Sequence, residues 1–195
     1  MSKMNRGFMF AALLIAIFAA AVSIRAGHPQ KDTATAAPAT ETVKSAPEMD
    51  RLKFYIGEWD YTENYEKSPS YPSGGKNTGV YSSTPGPGGN SLVQHFHSQG
   101  PMGDFEGLIV MTWDPKEKAY KGYLFGNDFP GCVVETGQFE GDTLVYRAEF
   151  SIGAMKFAIR NTTKLVAPGK ISSSEYLAAN GAPERLLLTV EATKK

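Results

Sequence analysis

Two histidines spaced H-x-H, His95 and His97, and two glutamates flanked by apolar runs, Glu135 and Glu175, are the side chains whose types and spacing could do chemistry. Residues two apart on a strand project from one face, so the histidines would present paired imidazoles with Glu106 opposite His97, a donor set that some zinc sites use. The remaining histidine, His28, lies far upstream, so the donors stop at three with nothing to orient the rings. The pair reads as a solvated polar patch and no metal is assigned. Glu135 and Glu175 could act as an acid and base pair in an isomerase or hydrolase, because carboxyl groups in an apolar lumen have raised pKa values. Nucleophilic catalysis lacks its parts: there is no G-x-S-x-G elbow, and Ser172–Ser174 lie in a plain strand with no histidine downstream. No residue is assigned a catalytic role, and no cofactor is assigned.

The elements that must carry these groups are strands. Ten short alternating runs rich in aromatic and β-branched residues follow one another: Glu58–Glu66, Thr78–Thr84, Ser91–Ser98, Phe105–Asp114, Ala119–Gly126, Cys132–Glu140, Thr143–Phe150, Lys156–Val166, Ile171–Ala178 and Glu184–Thr193. Between them stand PGPGG, GPMG, DPKEK, DFPG, EGD, SIGA, APGK and NGAP, where Gly and Pro supply the dihedrals that reverse a chain at low strain. Only Pro47–Tyr55, with Met49, Leu52 and Phe54, reads as a helical turn. Ten antiparallel strands in sequence can close on themselves and so remove their edges, leaving a lumen that can hold a small ligand.

A short hairpin fixes which residues share a face. With Phe96 opposite Gly107, the residues Leu92, Gln94, Phe96, Ile109, Met111 and Trp113 fall on one face, and His95, His97 and Glu106 on the other. Carrying the pairing onward adds Tyr120, Glu135, Tyr146, Asn161, Glu175, Leu186, Leu188 and Val190 to the first set. That set is the more apolar and is taken as the lumen. Burying Gln94, Glu135, Asn161 and Glu175 there without partners would cost several kcal/mol, so each must meet a hydrogen-bonding neighbour, water or a ligand. The lumen wall is then Trp59, Tyr61, Phe96, Trp113, Tyr120 and Tyr146, with Gln94, Glu135, Asn161 and Glu175 as orienting groups.

At the N-terminus, Lys3 and Arg6 precede fifteen apolar residues from Phe8 to Val22, the layout of a signal peptide cleaved after Ser23 or Ala26. Fifteen residues fall short of the ~20 that span a bilayer, and no cysteine stands near the cut to carry a lipid, so no membrane anchor is expected after cleavage. The expected domains are residues 1–26 as signal peptide, 27–47 as a disordered Ala/Thr/Pro-rich linker, and 48–195 as one barrel, in a periplasmic or secreted protein. Removing Lys3, Arg6 and Arg25 from twenty basic residues leaves seventeen against twenty acidic ones, which offers nothing to grip nucleic acid. Cys132 is the single cysteine, which excludes an intramolecular disulfide or a C-x-x-C site, and it is expected to be a small buried core residue.

Leu52, Gly57 and Trp59 in L-x-x-x-x-G-x-W, then F-E-G at 105–107, W-D-P-K-E-K-A-Y at 113–120 and a closing N-G hairpin with T-V-E-A-T-K-K resemble an uncharacterised family of secreted bacterial proteins, a domain of unknown function with a lipocalin-like, calycin-like barrel. The resemblance implies an all-β, about ten-stranded up-and-down barrel and carries no activity or catalytic residue with it. Haem ligation through an axial histidine near the closing strands, used by some ten-stranded relatives of lipocalins, is not expected, because no histidine follows His97. The reading is an exported barrel that binds a small amphiphilic molecule. Its alternative is a filled barrel whose outer apolar strip, Val93, Leu108, Val110, Tyr123 and Phe125, serves as an interaction surface or homodimer face.

Overall fold

The structure, a computed structural model, describes residues 44–68 and 71–195. The expected signal peptide and the linker up to residue 43 lie outside the described residues.

The barrel is all-β and closed. Ten antiparallel strands run β1 (Gly57–Tyr65), β2 (Gly75–Pro85), β3 (Ser91–Gly100), β4 (Gly103–Asp114), β5 (Ala119–Gly126), β6 (Val133–Glu140), β7 (Thr143–Ile152), β8 (Met155–Ala167), β9 (Lys170–Ala179) and β10 (Arg185–Lys194). Each pairs with its neighbours in sequence, and β1 pairs with β10 to complete the ring. Closure satisfies every strand edge, the reason a ten-strand meander does not stay open.

Register follows from the turns. Phe96 faces Gly107, Asp114 faces Ala119, Glu140 faces Thr143 and Tyr146 faces Asn161, so the lumen-facing series runs unbroken from β3 to β9. Asn180 and Gly181 both hold positive φ, 51° and 76°, as an Asn-Gly reversal requires. One expected position changes: a register shift in β10 between Leu186 and Leu188 sets Leu186 opposite Tyr176, off the lumen series, while Leu188 stays opposite Glu175. The bulge inserts a residue that periodicity alone does not announce.

A 3-10 helix, Pro47–Tyr55, caps one end of the barrel. Pro47 opens it, Glu48 and Asp50 sit in its first turn, and Asp50 pairs with Lys53 at 2.8 Å. Met49, Leu52 and Tyr55 point into the barrel and pack with Trp59, Leu144 and Ile171, where Leu52, Trp59 and Leu144 lose essentially all solvent contact. Arg51 ties the helix to the β6–β7 turn, donating to the Gly141 carbonyl at 2.9 Å and stacking over Phe139. Ser45 donates to the Gly89 carbonyl at 2.7 Å in the β2–β3 connection, at the same end of the barrel. Since each buried Leu or aromatic side chain contributes roughly 1.5–3 kcal/mol, the dense apolar core sits under this helix and the lumen beyond it can remain open.

Candidate functional site

Beyond the capped end, the barrel encloses a cavity of about 230 Å³. Tyr55, the last residue of the helix, closes its floor, and the strands supply Tyr61, Tyr81, Phe96, Met111, Tyr146 and Leu188 as apolar wall. Glu63, Gln94, Glu135, Asn161, Thr163, Ser173 and Glu175 are the polar groups among them. The volume falls between the ~150 Å³ that accommodates benzene and the ~300 Å³ at which drug-sized pockets begin.

Seven of the ten residues singled out from sequence line this cavity: Tyr61, Gln94, Phe96, Glu135, Tyr146, Asn161 and Glu175. Trp59, Trp113 and Tyr120 do not. They face inward, but at the level of the helix, which takes up their surfaces. The Trp59 Nε1 donates to the Tyr55 carbonyl at 2.8 Å, and the Tyr120 hydroxyl donates to the Glu48 carbonyl at 2.8 Å. Trp113 meets Tyr120 edge-on at 5.0 Å, and Tyr120 meets Phe139 in the same way at 5.5 Å. Neither tryptophan is therefore a direct reporter of cavity occupancy.

Glu63 and Tyr81 were not anticipated. Glu63 follows Trp59 and Tyr61 at the same period of two on β1, so strict alternation alone would have found it. Tyr81 stacks on Trp59 at 5.6 Å and tilts against Tyr61 at 5.8 Å. Room for these rings comes from missing side chains: a Cβ on Gly137 would lie 2.5 Å from the Tyr146 ring, and one on Gly79 would lie 2.6 Å from that of Tyr61.

The three carboxyl groups differ in support. Glu63 Oε2 accepts from the Ser98 hydroxyl at 3.0 Å and the Tyr65 hydroxyl at 3.1 Å, and these bonds oppose the upward push that burial gives its pKa. Glu135 and Glu175 receive no hydrogen bond from any described residue. Burial raises both to about 7, and for Glu175 the charges of Glu135, Glu63 and Asp128 add to that rise. Each keeps some accessible surface because it borders the cavity, while protein surrounds it on every side. No lysine, arginine or histidine is among the lining residues. Gln94, only 9% exposed, also lacks a side-chain partner among the described residues, and the buried Tyr81 and Tyr146 hydroxyls are unpartnered as well.

On the outer face, His97 Nε2 lies 2.7 Å from Asp104 Oδ1, His95 is exposed, and Glu106 pairs with His97 in register. Among the described residues no three His, Cys, Asp or Glu side chains gather as a metal site. Val93, Val110 and Tyr123 align across three strands with Leu108 and Phe125 beside them, and Tyr123 and Phe125 are 36% and 42% exposed. Cys132, expected in the core, is exposed: it stands in the β5–β6 loop, one residue before β6 starts, and so escapes the inward alternation.

No protein-family model and no curated protein matches the chain. Among solved structures, Rv2717c from M. tuberculosis resembles it with a TM-score of 0.57 at 13% identity, over 78% of this chain and 99% of that one. The S-type phycobiliprotein lyase CPES from Guillardia theta resembles it with a TM-score of 0.49 at 11% identity, over 74% of this chain and 89% of the other. What this chain shares with Rv2717c is the barrel fold.

Proposed function

We propose that this protein is an exported barrel that binds a compact, partly apolar small molecule in its lumen. The observation that carries the reading is the pair Glu135 and Glu175, two carboxyl groups inside the barrel with no hydrogen-bond donor among the described residues. Leaving a buried polar group unpaired costs roughly 1–3 kcal/mol, more if charged, and a ligand bearing hydroxyl or amine donors would offset that cost. Aromatic walls with a few convergent polar groups are the usual composition of a small-molecule pocket. Export rests on the apolar run Phe8–Val22 alone, and membership of a secreted family on the motifs that resemble it.

Native mass spectrometry of protein purified from its own compartment tests both parts. The expected species begins between Ile24 and Gly27 and carries a bound mass. A melting-temperature screen against small amphiphiles follows it: a ligand at one hundred times its Kd adds about 2.7 kcal/mol, or roughly 5–10 °C for a domain of this size. No co-purifying mass together with no stabilising compound would refute the binding reading and turn attention to the outer strip of Val93, Val110 and Tyr123. An intact Met1 would refute export.

A further inference from the structure

We infer that the occupant of the lumen is a compact organic cation, a protonated amine on an apolar or aromatic frame, held between Glu135 and Glu175. The inference deepens the binding reading above and rests on it.

The charge balance of the cavity is one-sided. Among the described residues, the charges that raise Glu175 are all acidic: Glu135, Glu63 and Asp128. The charge of Glu135 in turn raises the phenols of Tyr55 and Tyr146, and no cation among the lining residues offsets it there. A neutral polyol would supply donors to these carboxyl groups and leave their charge uncompensated, and an anion would be repelled. A primary ammonium supplies three donors and a positive charge in one compact group. Two of the donors could be taken up by Glu135 and Glu175, which line the same cavity. The third could be taken up by the carbonyl oxygen of Gln94, a lining side chain that is nine-tenths buried and whose amide has no partner among the described residues.

The wall favours the same class. Tyr61, Tyr81, Phe96 and Tyr146 present aromatic surface around the cavity, and the negative face of such rings attracts cations. An inorganic dication fits less well, because no three acidic side chains among the described residues gather to chelate one. The volume of about 230 Å³ sets the size at a single ring with a short side arm.

Matched probes test this on the whole mature protein by calorimetry at pH 8: benzylamine, 2-phenylethylamine and cyclohexylamine against benzyl alcohol, 2-phenylethanol and cyclohexanol. At least one amine should bind about tenfold or more tightly than its alcohol, a difference of about 1.4 kcal/mol. Glu135→Gln and Glu175→Gln should each weaken that amine about tenfold while changing the alcohol less than about threefold. Benzyltrimethylammonium, whose own charge does not titrate, should bind more tightly at pH 8 than at pH 5, because the carboxyl groups ionise in between. Alcohols that match the amines in affinity would overturn the cation inference and leave the binding barrel standing. If neither series binds, while a melting-temperature screen finds some other neutral or anionic ligand, the cation inference again fails alone. If nothing binds at all, both readings fall. The wild-type comparison decides the matter even if a Gln variant folds poorly.

Discussion

Replacing Glu135 or Glu175 with Gln should make the unliganded protein less sensitive to alkaline pH. Both carboxyl groups are raised from an ordinary 4.5 to about 7, first by burial. The folded state therefore holds these protons to a higher pH than the unfolded chain does. Their contribution to stability is full below 4.5 and is lost as pH rises through about 7. At ~1.4 kcal/mol per pH unit, the interval corresponds to about 3 kcal/mol for each carboxyl, most of it falling between pH 5 and pH 8. Part of the Glu175 rise comes from the charge of Glu135, so removing one glutamate also relaxes the other, and the two effects are not additive. Urea unfolding at pH 5 and pH 8, followed by the fluorescence of Trp59 and Trp113 in their packed layer, measures the difference. Wild type should lose several kcal/mol between the two conditions, each single Gln variant about 2–3 kcal/mol less, and the double variant least of all. The cost of burying a neutral amide is the same at both pH values and cancels. Wild-type and variant curves with the same pH dependence would refute the burial of these carboxyl groups in the lumen.

Leu52→Ala should destabilise by roughly 2–5 kcal/mol in urea titrations, because the side chain is 1% exposed at the centre of the helical cap. Gly137→Ala should cost about 1–3 kcal/mol by overpacking, since the new Cβ meets the Tyr146 ring at 2.5 Å, and a Gly137→Ala/Tyr146→Phe pair should recover little because the clash is with ring carbons. The double variant His95→Ala/His97→Ala should change stability by less than about 1 kcal/mol, the range of an exposed ion pair such as His97–Asp104; a stoichiometric metal lost in that variant would contradict the solvated-patch reading. Cys132 should label fully with a thiol reagent in the native protein, and protection from labelling would contradict its exposed position.

The parts of the barrel legible in the sequence are those governed by local rules. Where short turns join strands, as at DPKEK and EGD, the period of two carries the inward face from Leu92 through Glu175 with little freedom to slip. The longer β1–β2 connection between Tyr65 and Gly75 breaks that chain of inference, which is why Tyr81 went unassigned, whereas Glu63 follows from the alternation of β1 itself. The placement of Trp59, Trp113 and Tyr120 outside the cavity has a different origin. Alternation tells which face a residue takes, and says nothing of the height at which a helix from elsewhere in the chain plugs the lumen. That height is set by Leu52 and Tyr55 meeting Leu144 and Ile171, partners some ninety or more residues away in sequence. The β10 bulge at Leu186 was likewise invisible, because an inserted residue changes register without changing composition.

The seam between β1 and β10 sets the order in which this pocket can come into being. All other ladders join neighbours in the chain, but Trp59 pairs with Lys194 and Lys195 donates its N–H to the Glu58 carbonyl, so the ring is completed only by β10 and the residue after it. Loop closure over so long a stretch is slow relative to hairpin formation, which leaves β1 and the rest of an unfinished meander with bare edges. Tyr61 and Glu63, both cavity residues, sit on the strand that waits. A chain lacking residues 186–195 would retain most of its hairpins but lose Leu188, Val190 and Ala192 from the wall and leave β1 without its partner, and its two open edges would make it prone to pair with other copies. Occupancy is thus a property of the closed ring, acquired once β10 docks on β1 rather than along the way.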